Sequence, residues 1–458
     1  MKFIEYLNSL KNKKVSVIGM GVSNTPLIEA LLSFGIYTII CDKRNRDEIG
    51  EVADKFEKLG AKLCFGENYL ENIDADIIFR TPGLMPFHPK LEQAVKNGAI
   101  LTSEMEVFFD VCPCKKIGIT GSDGKTTTTS IIAELLKNEG HTVHVGGNIG
   151  TPLLCKADDI KLDDIAVLEL SSFQLITMKK CPEIAVVTNL SPNHLDVHKD
   201  MDDYVGAKRN IFIRQKPSDI AIFNEDYKYT RSYAKEAPGH VRMFSRYEKV
   251  NDGVYTDGEM IFEVADGKTE DIMPVCEIAL PGTHNVENYM AAFAAVRGLV
   301  SKETMRSTAC TFGGVAHRIE IVRELDGVKY YNDSIASSPS RTIAGLKSFD
   351  QKVILIAGGK DKGIAFDELG EQAIKHVKTL VLTGVTAQTI KSVVENAPGY
   401  AGSPNIILKD DFEDAVCTAS KVATSGDIVI LSPACTSFDR FKNFEERGNF
   451  FKEIVKNL

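Results

Sequence analysis

Short apolar runs recur along the chain, each followed by small or polar residues and then by a stretch with helical spacing. Residues 14–18 form the first run, with Gly19-Met20-Gly21 directly behind it. Leu27, Ala30 and Leu31 then fall on one helical face, and a second run at 37–41 stops at Asp42. Strand, glycine turn, helix, strand and acid is the order of a mononucleotide-binding βαβ unit. Further strands are predicted at 76–79 and 99–101, and the first unit should end near Asp110. A second opening follows at 116–120, with a helix over 127–138 and a strand around Val143. Runs at 165–168 and 184–187 each end in polar residues, as in a parallel sheet with functional groups at its strand ends. Residues 245–281 read as a small antiparallel element, and 285–299 as an alanine-rich helix. Strands at 353–357, 379–382 and 428–431 belong to a third unit that begins near Gly313-Gly314.

The pattern predicts an α/β protein of three domains, at 1–110, 111–314 and 315–458. A length of 458 residues agrees with that number. Composition narrows the class. With 43% hydrophobic and 26% charged residues the chain is ordinary globular material. Lys plus Arg is 54 and Asp plus Glu is 63, a net charge of −9, which argues against non-specific nucleic-acid or anionic-lipid partners. The ten cysteines lack disulfide or zinc spacing; only Cys112 and Cys114 are close, as C-P-C. Residues 1–14 lack the apolar core of a signal peptide, and no run approaches the ~20 apolar residues of a membrane span. A cytoplasmic protein without membrane insertion is expected.

Candidate chemistry concentrates behind the predicted strands. Gly121, Ser122, Asp123 and Gly124 precede Lys125, Thr126 and Thr127 between a strand and a helix. Small residues there let backbone N–H groups wrap a phosphate chain; the lysine reaches the outer phosphates and the threonine hydroxyl can ligate Mg²⁺. The full Walker spacing would need glycine at position 119, which is Ile119. The turn Gly19-Met20-Gly21-Val22-Ser23-Asn24 resembles a dinucleotide fingerprint with Asn24 in place of its third glycine. A redox dinucleotide, another nucleotide-like ligand and a structural turn all fit it. Glu169 closes a strand beside the phosphate loop, as a metal or water ligand would. His194, Asp196 and His198 share one loop, and one of the two histidines is expected to be structural. Lys208 lies one helical turn beyond Tyr204. In the third unit His317-Arg318, Asn332-Asp333-Ser334, Gly358-Gly359-Lys360-Asp361-Lys362 and Ser432-Pro433-Ala434-Cys435-Thr436-Ser437 could share a site.

On these motifs, with Gly146-Gly147-Asn148-Ile149-Gly150, Glu169-Leu170-Ser171-Ser172-Phe173-Gln174 and the carboxy-terminal Phe441-Lys442-Asn443-Phe444 and Arg447-Gly448, the chain resembles the Mur ligase family over essentially its whole length. The resemblance implies a Rossmann-like UDP-sugar domain, a central P-loop ATPase domain and a Rossmann-like amino-acid domain. It implies an ATP-driven amide ligase that activates UDP-N-acetylmuramoyl-L-alanine as an acyl phosphate and joins it to D-glutamate in peptidoglycan synthesis. Gly21, Val22, Ser23, Asp42, Lys43, Asn148, Ser171 and His194 then match the UDP-substrate site. The loop 121–127 with Asn285, Arg318 and Asp333 matches the ATP site, and Ser337, Lys362, Ser437 and Phe444 match the D-glutamate pocket. Thr126 and Glu169 match one Mg²⁺ site. His194 and Lys208 match a second, with Lys208 carbamylated, and Lys125, His194 and Lys208 match the catalytic set. A monomer is expected. The chain departs from the family pattern at Asp123, where Asn is common, at Ile335, where Lys is common, and at Ser337, where Thr is common. Arg80-Thr81-Pro82-Gly83 lacks the Ser common before Pro-Gly. A related ligase using another amino acid or a folate-like substrate, a non-ligase P-loop ATPase and an NAD-dependent enzyme are the alternatives.

Overall fold

The computed structural model describes residues 1–71, 73–194 and 197–458. Asp196, one member of the histidine-rich loop, lies outside the described residues. Among the described residues, three sheets account for the strands, one each within residues 1–110, 111–314 and 315–458. The first runs in the order β3-β2-β1-β4-β5 and is parallel throughout. Its strands are β1 (Val15–Ile18), β2 (Thr38–Asp42), β3 (Lys62–Phe65), β4 (Ile77–Arg80) and β5 (Ile100–Thr102). β1, β2 and β4 are buried along their whole length, as a parallel sheet covered by helices on both faces requires.

The second sheet has nine strands, in the order β14-β13-β12-β11-β10-β9-β6-β8-β7. They are β6 (Lys115–Thr120), β7 (Val143–Gly147), β8 (Ile165–Glu169), β9 (Ile184–Val187), β10 (Ile220–Asn224), β11 (His240–Ser245), β12 (Gly253–Thr256), β13 (Met260–Ala265) and β14 (Lys268–Pro274). β12 to β14 pair antiparallel, as expected for 245–281. They do not stand apart, however: β12 pairs parallel with β11 and so prolongs the central sheet. The alanine-rich helix spans Thr283–Val296, ending sooner than expected, and Gly298 follows it at φ +83°.

The third sheet runs β15-β16-β20-β17-β18-β19. It comprises β15 (Glu320–Leu325), β16 (Val328–Asn332), β17 (Val353–Ala357), β18 (Val377–Leu382), β19 (Asn405–Leu408) and β20 (Ile428–Leu431), with β15 alone antiparallel. Residues 1–276 with 287–308 form one compact unit, and 277–286 with 309–458 form another. In each sheet the order reverses beside a strand whose following loop the sequence marks as functional: β1, β6 and β20. Ligands of open α/β sheets settle at such reversals.

Candidate functional site

β6 delivers the chain into the glycine-rich loop expected to hold phosphate, and the backbone admits only glycine at two of its positions. Gly121 has φ +150°, and a Cβ on it would lie 1.9 Å from Thr188 Oγ1. Gly124 has φ +77° and caps the helix Lys125–Asn138, with Asn288 against it. The end of β9 holds the loop from one side. Ser122 N–H donates to the Asn189 carbonyl (2.9 Å), Asp123 N–H to Asn189 Oδ1 (2.9 Å), and Thr188 Oγ1 to the Asp123 carbonyl (2.6 Å). Lys125 Nζ folds over the loop toward the Gly121 and Ser122 carbonyls, at 3.0 and 2.8 Å. Thr127 stands half-exposed on the first helical turn.

Glu169, at the end of β8, is 2% exposed and gathers two of the other expected residues. Thr126 Oγ1 donates to its Oε2 at 2.7 Å and Asn148 Nδ2 to its Oε1 at 2.8 Å. The approach of β7 demands glycine at 147, where a Cβ would lie 2.1 Å from the Glu169 carbonyl. A hydroxyl and a carboxylate side by side are hard oxygen donors of the kind Mg²⁺ takes. Among the described residues no three His, Cys, Asp or Glu side chains cluster into a preassembled cage.

Lys208 is 2% exposed and donates to Thr120 Oγ1 (3.1 Å) and the Gly121 carbonyl (2.8 Å). Burial, and next the charge of Lys125, press its ammonium well below the usual lysine range. Two side chains that sequence reading could not rank now separate. His198 is wholly enclosed, bonded through Nδ1 to Asp203 (2.9 Å) and through Nε2 to Ser172 (3.0 Å), so it is the structural histidine. His194 is exposed, with φ +55°. Phe173 stands between them, its ring 5.1 Å from His194 edge-on and 5.6 Å from His198 in a stack. Ser171 caps the short helix that carries Phe173, accepting from Gln174 N–H.

In the first sheet the glycine turn closes differently from a dinucleotide fingerprint. Asn24 is buried and donates to the Ile18 and Gly19 carbonyls (3.1 and 3.0 Å), so its amide ties down the turn where a third glycine would leave room. Gly21, Val22 and Lys43 are exposed and Ser23 is half-buried. Asp42 is already engaged: the Arg44 guanidinium forks onto both its oxygens and Met20 N–H donates to Oδ2. Burial alone would raise this carboxyl, but those donors hold it down at about 2. Arg44, which the sequence did not single out, is therefore the partner that already engages the Asp42 carboxylate.

In the other compact unit, the loops after β17 and β20 are laced together. Lys360 and Thr436 exchange backbone hydrogen bonds at 3.0 and 2.9 Å. Lys362 Nζ meets Ser337 Oγ at 3.0 Å, joining two residues of the expected amino-acid pocket. Ser437 is buried, and its carbonyl accepts from Arg440 and Phe441 N–H. Phe444 opens the final helix, Phe444–Asn457, and its carbonyl accepts from Ser334 Oγ at 2.8 Å. Arg447, buried on that helix, donates to Ser334 and to the Cys435 carbonyl, tying the loops after β16 and β20 together. Asp333 is bonded by Ser432 Oγ (2.7 Å) and Ile319 N–H (3.3 Å), and burial lifts its carboxyl to about 7. Arg318 lies between His317 and Ile319, both at positive φ. Asn285 donates to the Pro281 carbonyl at 2.6 Å. Ile335 offers no cation; its N–H donates to the His317 carbonyl.

Comparison with known proteins bears on both units. Residues 119–296 match the family model of the Mur ligase middle domain, and 317–435 that of the Mur ligase, glutamate ligase domain. The UDP-N-acetylmuramoylalanine–D-glutamate ligases of Clostridium novyi and Ruminiclostridium cellulolyticum are each 50% identical to this chain, covering 100% of it and 99% of their own length. Among solved structures, the UDP-N-acetylmuramate-alanine ligase of Thermotoga maritima superposes with a TM-score of 0.56 at 16% identity, over 97% of this chain and 100% of that one. The MurF ligase of Thermotoga maritima, solved in complex with ADP, gives 0.54 at 20% identity, over 99% and 97%. These two likenesses speak for the three-domain fold.

Proposed function

Because the chain belongs to the Mur ligase family, we propose that it is the ATP-dependent ligase that joins D-glutamate to UDP-N-acetylmuramoyl-L-alanine in peptidoglycan precursor synthesis. The supporting observation is the end-to-end 50% identity with D-glutamate ligases, which includes the loops of the third sheet where an amino acid would sit. The segments 1–110, 111–314 and 315–458 take the UDP-sugar, ATP and amino-acid roles in that order. The UDP-substrate would meet Gly21, Val22, Ser23, Asp42 and Lys43, and then Asn148, Ser171 and His194. ATP would lie on residues 121–127, with Asn285, Arg318 and Asp333 at the nucleotide. D-Glutamate would be held by Lys362, Ser337, Ser437 and the Phe444 backbone.

A carboxylate is a poor acyl donor, since oxide would have to leave. Its attack on the γ-phosphorus breaks the bond to ADP and forms an acyl phosphate; the D-glutamate amine then attacks the acyl carbon and phosphate departs with the electron pair. The first step brings two anions together. The Lys125 ammonium would move from the loop carbonyls to the phosphates and offset that charge. Thr126 and Glu169 have the donor chemistry to hold Mg²⁺, which would neutralise phosphate charge. Lys208 fits a second site in one specific respect. Burial and the Lys125 charge lower its basicity, which favours the uncharged amine that CO₂ would carbamylate. The second Mg²⁺, the carbamate and the catalytic set Lys125, His194 and Lys208 belong to this proposal. So do a monomeric state and a cytoplasmic location; no helix among the described residues is long and apolar enough to cross a membrane.

The test of the chemistry is isotopic. With ¹⁸O in the alanine carboxylate of the UDP-substrate, one labelled oxygen should appear in the released phosphate. Unlabelled phosphate alongside amide product would exclude the acyl phosphate.

A further inference from the structure

Arg80 closes β4 and is 1% exposed, among the largest side chains fully buried in the protein. Its partners come from two places. Nη1 donates to the carbonyls of Thr81 (3.2 Å), Pro82 (3.2 Å) and Leu84 (2.6 Å) in the loop that follows β4. Nη2 donates to the Phe173 carbonyl (2.8 Å) and Thr177 Oγ1 (3.3 Å), on and beside the short helix after β8. All five acceptors are neutral, and among the described residues no carboxylate comes within ion-pair distance. Glu106 is reached only through Thr177, whose hydroxyl lies 3.2 Å from its Oε2. A desolvated guanidinium with no direct ion pair, and only a more distant carboxylate in Glu106, is a costly way to fill space, and an apolar side chain would do so more cheaply. What the planar fork adds is a fixed distance and angle between two loops.

Each of those loops touches a different part of the candidate site. Thr81 N–H donates to the Ile18 carbonyl (3.1 Å), and a Cβ on Gly19 would lie 3.0 Å from the Thr81 side chain, so this loop backs the glycine turn. Phe173 stands between His194 and His198. The turn read as the nucleotide end of the UDP-substrate site is thus joined, through one residue, to the helix whose Phe173 packs edge-on against His194.

We propose that Arg80 is a positioning residue: by holding the Thr81–Leu84 loop and Phe173 on one guanidinium, it sets the UDP-substrate's nucleotide end in register with the centre where its carboxylate reacts. The proposal rests on the reading of these residues as a ligase's UDP-substrate site. Arg80 touches no substrate itself. A substrate gripped at one end and reacting at the other is sensitive to such a register, since a misplacement of about 1 Å costs as much as a hundredfold.

The experiment is steady-state kinetics of the full chain as wild type, Arg80→Met and Arg80→Lys, varying UDP-N-acetylmuramoyl-L-alanine, ATP and D-glutamate in turn. ADP affinity by calorimetry serves as the check on folding. Arg80→Met should raise KM for the UDP-substrate about tenfold or more and lower kcat, leaving KM for ATP and ADP affinity unchanged. Arg80→Lys can satisfy loop carbonyls but cannot also reach Phe173 as a fork, so it should retain ADP binding and most of the KM increase. If the methionine variant does not bind ADP, the lysine variant decides. An unmoved KM for the UDP-substrate in a variant that binds ADP normally would overturn the proposal, as would equal rises in all three KM values. A wild-type protein inactive on these substrates would overturn the ligase reading and the proposal with it. An active wild type with an unmoved KM overturns the proposal alone.

Discussion

Thr126 Oγ1 and Glu169 Oε2 lie 2.7 Å apart, across the gap between the first turn of one helix and the end of the neighbouring strand β8. Asn148 bonds the other oxygen of the same carboxylate, so Glu169 is held in orientation from both sides. Glu169→Gln keeps the shape and an acceptor for Thr126 but loses the charge. Phosphate release should fall about a hundredfold or more, while thermal stability stays close to wild type. Raising the Mg²⁺ concentration should recover part of the rate. A variant with wild-type turnover would contradict the proposed metal-holding role of Glu169.

Lys208 faces Thr120 and Gly121 from the inside of the protein. Arginine stays cationic and cannot form a carbamate, so Lys208→Arg should lose activity about a hundredfold or more. Depleting dissolved CO₂ should slow the wild type and leave the residual rate of the variant unchanged. Equal sensitivity of the two proteins to CO₂ would contradict the carbamate.

The phosphate loop should tolerate no side chain at Gly121, because φ is +150° and the Thr188 hydroxyl occupies the Cβ position. Gly121→Ala should cost about 1–3 kcal/mol of stability and abolish nucleotide-induced stabilisation. Denaturant titration with and without ADP reads both. A thermal shift with ADP equal to that of wild type would show that the loop survives.

Asp333 gives a pH dependence whose sign follows from its raised pKa. In the folded chain the carboxyl stays protonated up to about 7; unfolded, it ionises near 3.9. Its contribution to stability is therefore complete below the unfolded value and is lost as pH rises through the folded one, between about 4 and 7. Asp333→Asn should flatten the fall in denaturation free energy across that range. Glu104, buried and likewise raised to about 7, should leave a remaining slope of the same sign. Parallel curves for wild type and variant would contradict the assignment.

The strands that were legible in the sequence are those buried on both faces. β1, β8, β9, β17 and β20 are nearly continuous apolar runs, because a covered parallel sheet leaves no polar side to alternate with. The edge strands β3, β15 and β19 are not legible as buried runs, because they are only partly buried and carry Lys62, Glu324 and Asn405 at exposed positions. β10 is nearly as apolar as β9, and its composition does not hide it. Site residues fixed by a local turn, such as Gly121, Gly124 and Lys125, could be read directly. Lys208 could be placed only by resemblance, since its partner Thr120 lies 88 residues away, and Arg80 not at all, since Phe173 lies 93 residues away. The pairing of His198 with Ser172 and Asp203, which leaves His194 as the exposed member, likewise depends on tertiary contacts.

The central claim is a reaction that consumes ATP only when a specific amino acid is present to accept the activated acyl group. The most direct measurement is phosphate release by the purified chain with ATP, Mg²⁺ and UDP-N-acetylmuramoyl-L-alanine, with D-glutamate, L-glutamate or no amino acid added. Sustained release with D-glutamate alone, matched by an equal amount of amide product, is the expected result. Release at the same rate without an amino acid, or with another amino acid preferred over D-glutamate, would contradict it.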